Sequence, residues 1–118
     1  MSNLLNQSPY QKGERPAKSP LLRNASRGQT CTLQIPGVCQ HSPEFTVGAH
    51  FRAKWLSGGA QKPDDLFLMD VCSACHAVQE AYHGDPDAPI GHDDILRALT
   101  MSQMRRRASG LIILKGEL

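Results

Sequence analysis

Large aromatic side chains are scarce in this chain: three Phe, two Tyr and one Trp in 118 residues. A domain of this length has room for only a modest core. A core without aromatic bulk needs a staple, either disulfides or a metal. Long apolar runs are missing too. No stretch reaches the roughly 20 residues of a membrane-spanning helix, and "MSNLLNQSPYQKGERP" has no apolar segment of the signal-peptide kind. These absences predict a cytoplasmic protein with no membrane partner. In that reducing compartment, clustered cysteines serve as metal ligands more often than as disulfides. There is no internal repeat, so the chain reads as one unit rather than an array.

An excess of one charge is also lacking, since the formal net charge is +2. The distribution is less even. Lys12, Arg15, Lys18, Arg23 and Arg27 face only Glu14 at the start, acidic residues gather between Asp64 and Asp94, and Arg105, Arg106 and Arg107 stand together near the end. Basic margins around an acidic centre suit a polyanion gripped at its edges with a cation held between them. A solvated tail and a solvated helix face account for the same charges.

In place of aromatic bulk there are four cysteines. Cys31 and Cys39 form a C-x7-C pair, and Cys72 and Cys75 form a C-x2-C pair. Thiolates from two separate turns converge readily into a tetrahedral all-cysteine zinc site, and the C-x2-C spacing wraps one metal tightly. Such a site contributes folding energy on the order of 10 kcal/mol at neutral pH. Free buried thiols and a redox C-x-x-C are the competing uses.

The punctuation of the chain predicts an α+β domain. Residues 1–18 read as a flexible basic tail and residues 19–118 as a single domain. Ser19 and Pro20 suit an N-cap and first turn of a short helix ended by Gly28. "CTLQI" alternates like a strand, and "IPGVC" turns Cys39 back toward Cys31. "EFTVGAHF" reads as a second strand and "LFLMDV" as a third, joined by a loop marked by Gly58, Gly59 and Pro63. A helix is expected from Ser73–Cys75 to about Tyr82, with Gly84 beyond its end. A last helix, capped by Asp93, carries an apolar stripe of Ile95, Leu96, Leu99, Met101 and Met104. Arg105 to Arg107 suit its C-terminal dipole, and "LIIL" closes the chain as a short strand or packed tail.

The segment "VCSACHAVQEAYHG" raises a further question, because His76 is surplus to a four-cysteine zinc. Glu80 lies four residues on, on the same helix face. A histidine and a carboxylate so placed can hold a second divalent metal, and His83 is a turn further. If "EFTVGAHF" and "LFLMDV" pair antiparallel, His50, His76 and Glu80 share one cleft. Each residue also has a plainer use: His50 as a hydrogen-bonded core side chain, His83 as a partner of the helix dipole, His41 as an exposed turn residue, and His92 as a helix-start neighbour.

The order strand, His50, glycine-containing loop, strand, Cys-x-x-Cys-His, helix resembles the HNH motif of the ββα-metal nucleases. Through "LRNASRGQTCTLQIPGVC", "TVGAH" and "KPDDLF…VCSACH", the chain is most similar to the small prophage-encoded YbcO-type nucleases. That resemblance implies a zinc-stabilised, treble-clef-like ββα-metal domain with an added C-terminal helix. It implies His50 as general base, a catalytic magnesium, manganese or zinc ion at His76 and Glu80, and structural zinc on Cys31, Cys39, Cys72 and Cys75. The sequence departs from the motif twice. Ala49 occupies a position where many such enzymes have a metal ligand, and the middle Asn is absent, leaving Asp64 or Asp65 as the nearest polar substitute. The expected activity is hydrolysis of DNA phosphodiesters, with Arg105, Arg106, Arg107, Arg52 and Lys54 contacting the nucleic acid. The alternative is a zinc-bound nucleic-acid-binding module without catalysis. No motif sets an oligomeric state.

Overall fold

The computed structural model describes residues 15–51, 63–82 and 85–116. Its elements run α1 (Pro20–Asn24), β1 (Thr46–His50), β2 (Leu68–Cys72), α2 (Ser73–Ala81) and α3 (His92–Ala108), with 3-10 turns at Pro43–Phe45 and Asp65–Phe67. This is a small α+β arrangement of one two-stranded sheet and three helices. Arg52, Lys54, His83 and Gly84, together with the glycine-rich loop and residues 1–14, lie outside the described residues.

The strands β1 and β2 pair antiparallel, with Gly48 opposite Asp70 and His50 opposite Leu68. All five residues of β2 are buried, because α3 packs along it and α2 follows it directly and leans on both strands. Two strands alone are marginal in water, and these helices supply the missing cover. The core joins Leu33, Ile35, Met69, Val71, Ile90, Ile95 and Ala98 to Cys31, Cys72 and Cys75. Sulfur and aliphatic carbon thus fill the space that aromatic rings do not.

The α1 helix begins where its sequence predicts. Ser19 is the N-cap and its hydroxyl accepts the Leu22 N–H at 3.2 Å, with Pro20 in the first turn. The chain is already anchored before it: Ala17 N–H donates to Asp64 Oδ2 at 2.8 Å, and Asp65 N–H donates to Ala17 O at 2.9 Å. The expected strand over "CTLQI" is absent. Gln34 sits at φ +47, which breaks an extended run. Only Thr32 docks on the sheet, its N–H and hydroxyl both donating to Asp70 O at 2.8 and 2.7 Å. The "IPGVC" turn forms through Val38 and Cys39 N–H groups donating to Ile35 O, with Gly37 at φ +74.

The last helix differs from its expected pattern in three ways. Its N-cap is Gly91 rather than Asp93, and Gly91 N–H donates to the Asp94 carboxylate at 2.9 Å. Its buried face is Ile95, Ala98, Ser102 and Arg106, while Leu96, Met101 and Met104 are exposed. "LIIL" forms no strand, and Ile113 and Leu114 are exposed. The second difference has its cause in β2. Asp70 is fully buried there, and a buried carboxylate requires partners. Arg106 Nη1 meets Asp70 Oδ1 at 2.9 Å and Arg105 Nη1 meets Oδ2 at 3.1 Å, while the Ser26 hydroxyl donates to Oδ1 at 2.7 Å. Arg106 also donates to Leu22 O, Ser102 O and the Ser26 hydroxyl. The inward face of α3 is therefore apolar in its first half, through Ile95 and Ala98, and polar in its second, through Ser102 and Arg106. Arg106 is buried against Asp70, which corrects the expectation that its guanidinium faces nucleic acid; Arg105 meets Asp70 from a partly exposed position. Arg107 alone of the three is exposed.

Candidate functional site

The four cysteines, separated by up to 44 positions in sequence, come together. Their sulfurs all lie within 4.8 Å of one another, and Cys39 and Cys72 are 4.0 Å apart. Tetrahedral zinc with Zn–S bonds of about 2.3 Å places its sulfurs about 3.8 Å apart, so the donor set fits a metal such as zinc. All four are free thiols. Backbone amides point at the sulfurs: Gln34 N–H at Cys31 (3.4 Å), His41 N–H at Cys39 (3.4 Å), and Gln40 and Cys75 N–H at Cys72 (3.5 and 3.4 Å). Such donors favour thiolate over thiol. Burial pushes the Cys39 and Cys75 thiols up. Cys72 is also pushed up by burial, yet the amides of Gln40 and Cys75 prevail and bring it down to about 7. The Cys72 sulfur is at the same time the N-cap of α2. The helix carrying His76 therefore starts on the sulfur cluster itself.

Behind that start lies a cleft of about 230 Å³, lined by Arg23 of α1, Gly48, Ala49 and His50 of β1, Leu68 of β2, and His76 and Glu80 of α2. His76 Nε2 and Glu80 Oε1 are 3.1 Å apart across one helical turn. His50 sits at the last position of β1, and its Nε2 lies 2.8 Å from Asp65 Oδ1. Asp65 is almost wholly buried, and its Oδ2 accepts the Ser19 N–H and the Arg23 Nε–H, the latter at 2.8 Å. Burial raises the Asp65 pKa, but the bonds from Ser19, His50 and Arg23 outweigh it and hold the carboxyl below its ordinary value. An ionised Asp65 can only accept, so His50 donates its Nε2–H to it, and Nδ1 is the ring nitrogen that this contact does not engage.

Asp64 has a different post. Its carboxylate accepts from Ala17 N–H and from Leu66 N–H at 2.8 Å, capping the 3-10 turn. Of the two aspartates, Asp65 is the one that meets His50. Ala49 is buried and offers no donor. His41 is exposed, and His92 Nδ1 lies 2.8 Å from the Tyr82 hydroxyl, away from the cleft lining. Arg23 was visible in the sequence only as one charge of a basic stretch. Nothing in its local pattern marks it as a cleft residue, because its position depends on Asp65, 42 residues on.

A metal at His76 and Glu80 would have one nitrogen and one carboxylate from the protein. No third His, Cys, Asp or Glu joins them in a cluster among the described residues. One imidazole nitrogen and one carboxylate leave most positions of a divalent ion to waters and to the oxygens of a phosphate.

A family model described as "Putative nuclease YbcO" matches residues 20–107. The chain belongs to the YbcO family. The matched stretch runs from the start of α1 into the last turn of α3 and contains all four cysteines, Arg23, His50, Asp65, His76 and Glu80. Two curated YbcO proteins are each 37% identical over 91 residues: "Putative nuclease YbcO" of Escherichia coli (strain K12) and "Putative nuclease ybcO" of Enterobacteria phage 82. Each alignment covers 77% of this chain and 95% of the relative. A solved structure, "Structure of a putative bacteriophage protein from Escherichia coli str. K-12 substr. MG1655", matches with a TM-score of 0.58 at 35% identity. It covers 76% of this chain and 100% of its own. Among the described residues, no helix is long and apolar enough to cross a membrane.

Proposed function

We propose that this chain is a metal-dependent endonuclease of the HNH type, a treble-clef-like ββα-metal domain over residues 19–118 that hydrolyses DNA phosphodiesters in the cytoplasm. The observation that carries this reading is the His50–Asp65 contact of 2.8 Å, at a cleft that His76 and Glu80 also line. The names of the YbcO relatives support nuclease chemistry in general.

His50 Nδ1 takes the proton of the attacking water, and Asp65 stabilises the imidazolium that results. The strand end fixes the ring, and the buried carboxylate fixes its tautomer. His76 and Glu80 would hold the catalytic cation, which supplies Lewis-acid charge toward the phosphate and the departing 3′ oxygen. Zinc on Cys31, Cys39, Cys72 and Cys75 would be structural, holding the first turn of α2 so that His76 faces the cleft. The second reading keeps the zinc and the nucleic acid but not the hydrolysis. It is favoured by Ala49, which supplies no ligand beside the base.

Plasmid nicking by purified protein of known zinc content separates the two readings. Magnesium, manganese and no added metal are compared, with His50→Ala and His76→Ala alongside. Nicking that needs the cation and falls by at least about 10²-fold in both variants establishes the nuclease. Bound zinc with no cleavage of duplex, single-stranded or branched DNA, but with salt-sensitive binding that survives His50→Ala, establishes the binding module.

A further inference from the structure

We infer that Arg23 is the group that grips the phosphate in the cleft, and that Asp65 orients it together with the base. This rests on the nuclease reading above and adds to it the residue that recognises the substrate's anionic centre.

The argument begins with how Arg23 is held. Its Nε–H is spent on Asp65 Oδ2 at 2.8 Å. No described residue takes its terminal Nη1 and Nη2 groups, and the side chain is 44% exposed. It lines the same cleft as His50, His76 and Glu80. A guanidinium anchored through Nε presents its two terminal nitrogens as a rigid fork, the geometry that matches two oxygens of a phosphate. Arg106, by contrast, is buried and spends its terminal nitrogens on Ser102, Leu22 and Ser26.

The backbone that carries Arg23 is fixed from both sides. Its own N–H donates to Ser19 O at 3.1 Å, and the neighbouring Leu22 carbonyl receives both Nε and Nη2 of Arg106. Pre-positioned donors of this kind cost no reorganisation when charge develops on the reacting phosphate. Asp65 gives one oxygen to His50 and the other to Arg23. The spacing between base and anion grip is therefore set by the width of a single carboxylate.

Two measurements on the full zinc-loaded chain test this. The first is steady-state cleavage by Arg23→Ala and Arg23→Lys. Arg23→Ala is expected to lose about 10²- to 10³-fold in kcat/KM at unchanged zinc content. Arg23→Lys, a point charge without the fork, is expected to recover only part of it. Added guanidinium ion restores Arg23→Ala but not His50→Ala. Cleavage by Arg23→Ala within about twofold of wild type overturns the inference. The second needs no turnover: nitrogen-15 spectra of the arginine side chains, titrated with a short DNA duplex without added divalent cation. A shift of the Arg23 terminal nitrogens supports the grip, and DNA binding that leaves them unmoved overturns it. A wild type that cuts nothing yet shows the Arg23 shift sinks the nuclease reading and leaves the grip standing. Efficient cutting by Arg23→Ala does the reverse.

Discussion

Asp65 is the residue on which the cleft depends most. It is buried, its two oxygens serve His50, Arg23 and the Ser19 amide, and those bonds hold its pKa below the ordinary 3.8. A group depressed in the folded state stabilises the fold above its unfolded pKa and loses that contribution as pH falls through its folded value. Near neutral pH, where that contribution is fully present and the zinc site is intact, Asp65→Asn should therefore unfold at a lower urea midpoint than wild type of the same zinc content. Equal midpoints would mean that the contacts to Asp65 contribute nothing. The sequence offered Asp64 or Asp65 as the nearest polar substitute for the absent Asn and went no further. Neighbouring side chains leave the backbone in different directions, and here one caps a turn while the other meets His50. Arg23 was harder still, because only long-range folding brings it to Asp65.

At the scale of elements, the strand pair and the helix that follows it were legible. The expected strand "EFTVGAHF" contains β1 and "LFLMDV" contains most of β2, with their leading residues in 3-10 turns, and the helix starts at Ser73 as its sequence predicts. The α3 helix was legible in its length but not in its orientation. The hydrophobic pattern selects Met101 and Met104, whereas Ser102 and Arg106 are buried, because the demand comes from Asp70 on another element. "CTLQI" misled for a related reason, since sulfur-centred turns use residues that alternate like a strand. The arginine run makes the point testable. Removing one partner of a buried ion pair costs about 3–5 kcal/mol, while an exposed substitution stays within about 0.5 kcal/mol. Denaturant melts of Arg106→Ala and Arg107→Ala should differ by that margin, with Arg106→Ala the weaker protein. Similar midpoints would contradict the buried Arg106–Asp70 pair.

At the scale of the whole molecule, the sulfur cluster is the joint between the two halves of the core. Cys31 and Cys39 belong to the segment before the sheet, and Cys72 and Cys75 to the strand–helix corner after it. Without a metal, four buried or half-buried thiols remain where one ion would unite them. Removal of the metal by a strong chelator at neutral pH should release one zinc per chain and abolish the cooperative thermal transition, since such binding energy is folding energy. Restoring zinc should bring the transition back, and Cys75→Ser should lack it throughout. A sharp transition that persists after the metal is gone would assign the stability to aliphatic packing instead.

Arg106 has a consequence in time as well as in space. During synthesis every cleft residue, from Arg23 through His50 to Glu80, and Asp65 behind them, emerges before Arg106 exists. Until Arg106 arrives, the Leu22 carbonyl and the Asp70 carboxylate lack the guanidinium that ties α1 to the sheet. The nascent chain thus holds Arg23, His50, Asp65, His76 and Glu80 but not the ties that align them. A ribosome stalled before α3 would display an incomplete, unaligned cleft. The last helix completes a cleft whose side chains are all encoded upstream of it.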